Sequence, residues 1–416
     1  MSLSLSTPLI VPALNVRDTR IDVLRALALI TIFINHVPQN LLEQLTTKNF
    51  GFSDAAEAFV LISGVSAALA YGSKFASGGG LAATLKMWRR AGVLYIAQLG
   101  TTMATLAIFA FFSLHYAVPE LMTQINIRPV IDDTAAAMVG IATLGHQLGY
   151  NNILSMYAVV LVLLPGFLLL GRAFGLGAMV AASGAVWLGA GIFRIGPPNF
   201  PNDGVWFLNP LSWQFLFVVG AAAALHVRRG GRLPQSPSLA LAATLYLALS
   251  WAWVKVPLWG IDTSFGLPAV LTGFDKTYLS APRLLHVLAA AYLIAALPAV
   301  SGLFRLSYAN PLSVVGRHGL SVFVLGTVIA MAAQAWRMVH IPTVTGDLTI
   351  LAIGIAAQFA LAYYIEWYRG VANGWRAAAT SGIPDGHDDR PSAPAPSAPA
   401  RPARQRGAAA AASRAV

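Results

Sequence analysis

The sequence contains no cysteine, which excludes disulfides, iron–sulfur clusters and thiolate nucleophiles from its chemistry. It is also poor in charge, with 16 acidic and 27 basic side chains in 416 residues. A charged content of 10% is too low to cover the surface of a soluble protein of this length. The eight histidines lack the short spacings of a ligand cluster, so no metal is expected. No pair of similar halves carries interrupted apolar segments at matching places, as many secondary transporters do. What is abundant is apolar: 57% of the chain, with a mean hydropathy of +0.66. The isoelectric point near 10.1 would suit nucleic acid, but no soluble basic domain exists to bind it. Lys and Arg flanking membrane segments explain the surplus, and membrane lipids become the expected surroundings.

A helix needs roughly 20 mostly apolar residues to span the hydrocarbon. Ten runs qualify, near 22–41, 55–73, 88–114, 153–171, 176–193, 211–227, 238–256, 283–301, 318–337 and 349–369. The expected fold is therefore an all-α integral membrane protein, a bundle of about ten transmembrane helices. Residues 134–147 are apolar but too short, and read as interfacial or re-entrant. No cleaved signal peptide is expected at the N-terminus. The transmembrane domain should occupy 21–370, between an N-terminal segment at 1–20 and a disordered tail at 371–416. That tail includes PSAPAPSAPARPARQRGAAAAAS, too poor in large apolar residues to bury a core.

Basic residues choose the orientation. One set of connections carries Arg17, Arg20 and Arg25, then Lys74, Lys86, Arg89 and Arg90, then Arg172, then Arg228, Arg229 and Arg232, then Arg305 and Arg317. The opposite set carries the fewer Lys48, Arg128, Arg194, Lys255, Lys276, Arg283 and Arg337. Both termini are accordingly expected in the cytoplasm of a multi-pass protein of a bacterial inner membrane.

Within this apolar chain the stretch RIDVLRALALITIFINH, residues 20–36, is anomalous. At about 100° per residue Asp22, Arg25 and His36 share one helical face, with His36 roughly 16 Å beyond Arg25. Asp22 and Arg25 could be a snorkelling ion pair or a working site. His36, deeper, next to Asn35 and followed by Pro38, reads as a general base or as a structural hydrogen bond to a neighbouring helix. In the next run, GFSDAAEAFVLISG, Asp54 reads as a helix cap or a substrate contact. Glu57 reads as a first-turn acid or as a carboxylate supporting His36. Ser63 and Gly64 read as close helix packing. Lys86, Arg89 and Arg90 on the opposite side are either membrane anchors or phosphate ligands. Lys276 and Arg283 in DKTYLSAPRLLH could hold an acyl carboxylate, or pair with Asp275. Arg317 and His318 in GRHGLS flank a helix or contact the donor. Trp206, Trp213, Trp251, Trp253 and Trp259 read as an interfacial belt before a sugar platform.

These stretches, with KMWRRAGVLY, NNILSMYAVVLVLLP, NPLSWQFLFVVGA, DKTYLSAPRLLHVLA and GRHGLSVFVLG, resemble the OpgC branch of the membrane acyltransferase-3 superfamily over residues 17–370. In that superfamily an Arg precedes an essential His on the first helix at the spacing of Arg25 and His36. The resemblance implies transfer of an acyl group, succinyl by analogy, from cytoplasmic acyl-CoA to hydroxyls of periplasmic glucans. It implies His36 and Glu57 as catalytic, with Arg25, Lys86, Arg89 and Arg90 near the donor. Asp54, Lys276 and Arg283 would then meet the substrate. Acyl-CoA is a substrate here, no permanently bound cofactor is expected, and glucan-biosynthesis proteins are the expected partners. A transporter or flippase of a glycan or small polar solute is the alternative.

Overall fold

Pro38 sets the first boundary. A proline disfavours helical backbone at the residue before it, and the first helix, α1, runs Thr19–Asn35 with His36 as its C-cap. The span expected to reach 41 therefore stops short, and the chain turns through Leu41–Leu45 and Thr47–Asn49. The Asn40 side chain donates to the carbonyls of Ile34 and Val37 at 2.8 and 2.5 Å, which fastens this turn onto the end of α1.

The computed structural model describes residues 17–256 and 258–381. Most of the expected N-terminal segment and all of the Pro/Ala-rich stretch lie outside the described residues, within which the fold is helical with no strand. The other nine runs all fall on helices: α2 Ala55–Ala76, α3 Gly80–His115, α4 Ile153–Ala173, α5 Leu176–Ile192, α6 Pro210–Arg228, α7 Pro237–Lys255, α8 Ala281–Ala296, α9 Gly319–Val339 and α10 Val344–Ser381. The run expected to 301 is broken after α8, because Leu297, preceding Pro298, is extended and a separate helix Pro298–Leu303 follows. Between 134 and 147 only Thr134–Ala142 is helical, and the buried His146 and Gln147 follow it in irregular backbone.

Seven helices, α2, α3, α4, α6, α7, α9 and α10, are long and apolar enough to cross a membrane. Their number marks a membrane protein. α5 and α8 are apolar but have 17 and 16 residues, and α1 has 17 with Asp22 and Arg25 among them. The outer face of α7 leaves Leu241, Leu245 and Leu249 exposed, a surface that suits lipid and not water. Among the described residues, those through Trp367 form one compact unit, and those from Tyr368 to Ser381 belong to another.

Glycines bring two helix pairs to backbone contact and admit an aromatic ring between a third pair. A Cβ on Gly64 of α2 would lie 2.0 Å from the Phe217 carbonyl oxygen of α6, and one on Gly220 of α6 would lie 2.3 Å from that of Leu61. This reciprocal clasp is the packing that Ser63–Gly64 suggested. Gly316, in the helix Pro311–Arg317, sits so close to α1 that a Cβ would meet the Asp22 carbonyl oxygen at 1.8 Å. Gly354 of α10 accepts the Phe33 ring of α1.

The expected tryptophan belt is corrected in part. Trp206 and Trp213 are buried in protein, and their indole N–H groups donate to the carbonyls of Pro198 and Lys276 at 3.1 and 3.0 Å. Large rings bury well only where the polar N–H finds an acceptor, and the irregular chain around 198 and 276 supplies one to each. Trp253 and Trp259 pack with Phe52 and Phe274.

Candidate active site

The end of α1 holds His36 in place by its backbone and its ring face. Gln334 of α9 donates its amide to the His36 carbonyl at 2.6 Å. The imidazole stacks on Tyr150 with centroids 4.6 Å apart and planes 12° from parallel. Neither contact uses a ring nitrogen. Among the described residues no hydrogen bond reaches the imidazole.

Beside it stands a four-membered charge network. Asp54 caps α2 by accepting from the Ala56 amide at 2.8 Å, while Glu57 Oε2 accepts from the Asp54 amide at 3.0 Å, completing a capping box. Glu57 is fully buried, and its Oε1 accepts from Arg283 Nε and Nη2 at 2.8 and 2.5 Å. Lys276 pairs with Asp54 Oδ2, to which Arg283 also comes within 3.7 Å. Two acids and two bases thus cancel, as buried charges must. His36 lies within electrostatic reach of Lys276 and Asp54. Glu57, read from sequence as the imidazole's supporting carboxylate, makes no hydrogen bond to it. Arg283 reaches in from α8 and takes that carboxylate first. Lys276 is also freed from Asp275, whose carboxylate is held by Arg194 at 2.9 Å.

Close by, Ser53 Oγ and His286 Nδ1 are 2.6 Å apart and buried. This pair is closed to substrate, because Gly51 packs so tightly on the other ring nitrogen that a Cβ there would lie 1.9 Å away.

The Arg25 end of α1 is arranged differently. Asp22, 1% exposed, receives Arg17 in a bidentate pair at 2.6 and 2.7 Å and Arg25 at 3.2 Å. Arg25 also donates to the Gly316 carbonyl at 2.9 Å and to Ser66 Oγ. Asp22, buried, and Arg25, half-buried, therefore tie α1 to α2 and to the Pro311–Arg317 helix. One carboxylate facing two guanidinium groups leaves a net positive charge here. Of the α3 cations, Lys86 and Arg89 are exposed, while Arg90 and Arg25 both lie within electrostatic reach of the Tyr157 hydroxyl. Arg317 and His318 both bind Glu366 Oε1, at 3.0 and 2.9 Å, and so brace α9 against α10.

The OpgC protein family matches residues 17–370. The chain belongs to that family. Comparison with curated proteins and with solved structures gives no match. The OpgC stretches quoted above fall where the site is built. DKTYLSAPRLLH brings Lys276 and Arg283 to the second helix, NNILSMYAVV follows Tyr150 into α4, and GRHGLSVFVLG opens α9.

Sequence reasoning missed Tyr150, Gln334 and a buried amide network around Gln98. Gln98 Nε2 donates to the Asn151 carbonyl at 2.7 Å, and Asn151 Nδ2 to Thr105 Oγ1 at 2.7 Å. Oxygen atoms of Gln98, Asn151 and Ser155 stay buried without partners. The available signal was an amide inside an apolar run, as informative in Gln98 and Gln334 as a charge.

Proposed function

We propose that this OpgC-family protein is a membrane O-acyltransferase of the acyltransferase-3 superfamily, moving an acyl group, succinyl by analogy, from acyl-CoA to hydroxyls of periplasmic glucans. Family membership supports a role in glucan modification. The observation that carries the chemistry is the unpartnered imidazole of His36, fixed by Tyr150 and Gln334 beside a charge network. Such a base, within reach of a hydroxyl, removes its proton as the oxygen attacks an acyl carbon.

Ten membrane crossings with both termini cytoplasmic fit the distribution of basic residues and the ten helices. α5 and α1, with 17 residues each, sit at the lower edge of the range of about 17–25 residues that spans a bilayer, and α8, with 16, is one residue short of it. In this orientation the Arg25 end of α1 is cytoplasmic. Arg25 and Arg90 line the donor side, and Lys86 and Arg89 offer unpaired charge to CoA phosphates. Lys276 is the better receiver for the free carboxylate of a dicarboxylic acyl group, since its ammonium has three donors and Asp54 takes one. Arg283 is committed to Glu57. A reporter that is active only in the periplasm, fused after Val416, should stay silent. Activity there would put His36 on the wrong side for a periplasmic acceptor.

The decisive experiment compares periplasmic glucans by mass spectrometry from cells with and without this chain. The expected result is a series of glucans heavier by whole acyl groups only when the chain is present, the increment naming the group. Identical glucans would overturn the assignment.

A further inference from the structure

One cavity adjoins His36 and has no part in the reading above. Its walls come from Leu29, Ile32 and His36 of α1, Gly326 and Thr327 of α9 and Gln358 of α10. Leu29, Ile32 and His36 recur at steps of three and four, so they present one face. The volume is about 10 Å³, room for roughly one water.

Its polar groups are under-used. Helical threonines elsewhere in the chain return their hydroxyls to the carbonyl four residues back: Thr84 to Gly80, Thr105 to Thr101 and Thr244 to Ala240, each at 2.8 Å. Thr327 does not. Its Oγ1 is buried with no partner. Gln358, 1% exposed, makes one long bond, 3.3 Å to Gly354 of its own helix. A Cβ on Gly326 would sit 3.4 Å from Gln358 Cδ, so this amide lies directly over the glycine. An unpaired hydroxyl and a weakly bonded amide in an apolar wall are unfavourable for folding, and a ligand that accepts from both explains their retention.

We propose that Thr327 Oγ1 and Gln358 Nε2 form an oxyanion site that holds the carbonyl oxygen of the acyl thioester while His36 activates the acceptor hydroxyl. This rests on His36 being the base. The imidazole takes the hydroxyl proton, and the resulting oxygen forms a bond to the carbonyl carbon. The carbonyl π electrons move onto oxygen, where the two donors meet them. Re-forming the C=O bond breaks C–S, and the departing thiolate takes the proton back from the imidazolium. Ester and thiol are the only products, and no co-reactant is needed. Leu29, Ile32 and Val322 keep water away and strengthen both hydrogen bonds. The seam between α1 and α9 continues to the donor end, where Gly319 packs against the Arg25 side chain.

Full-length protein in proteoliposomes, supplied with succinyl-CoA and glucan, tests this. Thr327→Val keeps the shape and removes the hydroxyl, so kcat should fall about 10²-fold, the loss of one oxyanion donor, with KM little changed. Its melting temperature should hold or rise, because an unpaired buried hydroxyl is gone, and Thr327→Ser should recover most of the rate. A slow Thr327→Val protein that melts earlier than wild type would make Thr327 structural and overturn the proposal. Wild-type turnover by Thr327→Val, with His36→Gln inactive, would overturn the oxyanion site alone. Full turnover by both would overturn the His36 reading as well.

Discussion

His36→Gln should leave a folded protein that transfers acyl groups about 10²–10⁴-fold more slowly, the usual share of general-base catalysis. The structure separates the two effects. Gln334 grips the His36 backbone carbonyl, which the substitution does not touch. Only the stack on Tyr150 is lost, and such ring pairs contribute about 0.5–1.5 kcal/mol beyond burial. Thermal unfolding in detergent should therefore move little while the turnover of succinyl-CoA with glucan collapses. Retained turnover, or a collapse of folding with it, would make His36 a packing residue.

The second large effect belongs to Arg283. Arg283→Met should destabilise the protein by about 3–5 kcal/mol, because it strands the fully buried Glu57 carboxylate. Adding Glu57→Gln should restore most of the loss, since the amide is neutral and can still accept from the Asp54 amide through its oxygen. Unfolding of the two variants and wild type in detergent makes the measurement. If Arg283→Met unfolds like wild type, the pair is not an ion pair in the folded protein. If Glu57→Gln gives no rescue, Arg283 has a partner more important than Glu57.

The same network marks where sequence stops being legible. Helix positions followed from apolar runs, and the capping role of Asp54 followed from its place before Ala55, because both are local signals. The partner of Glu57 was not legible because it is an arginine 226 positions away, and a single carboxylate on a helix does not announce which of several distant charges will reach it. The end of α1 was legible in Pro38 but was placed too late, since hydropathy alone continues past it. His36 stood out by being ionisable in an apolar run. Thr327 did not, because a threonine barely lowers the hydropathy of a helix and normally satisfies itself on its own backbone.

The reciprocal glycines of α2 and α6 carry a mechanical consequence. With Gly64 seated on the Phe217 carbonyl and Gly220 on that of Leu61, each backbone blocks the other from sliding along the helix axis. The two helices behave as a keel that cannot shear. A transport cycle that rocks one half of a bundle past the other has no slip plane through this joint, whereas a catalyst needs none. A reacting group reaches His36 from the side of α1, α9 and α10, and the keel on the other side keeps Asp54 and Glu57, at the start of α2, in register.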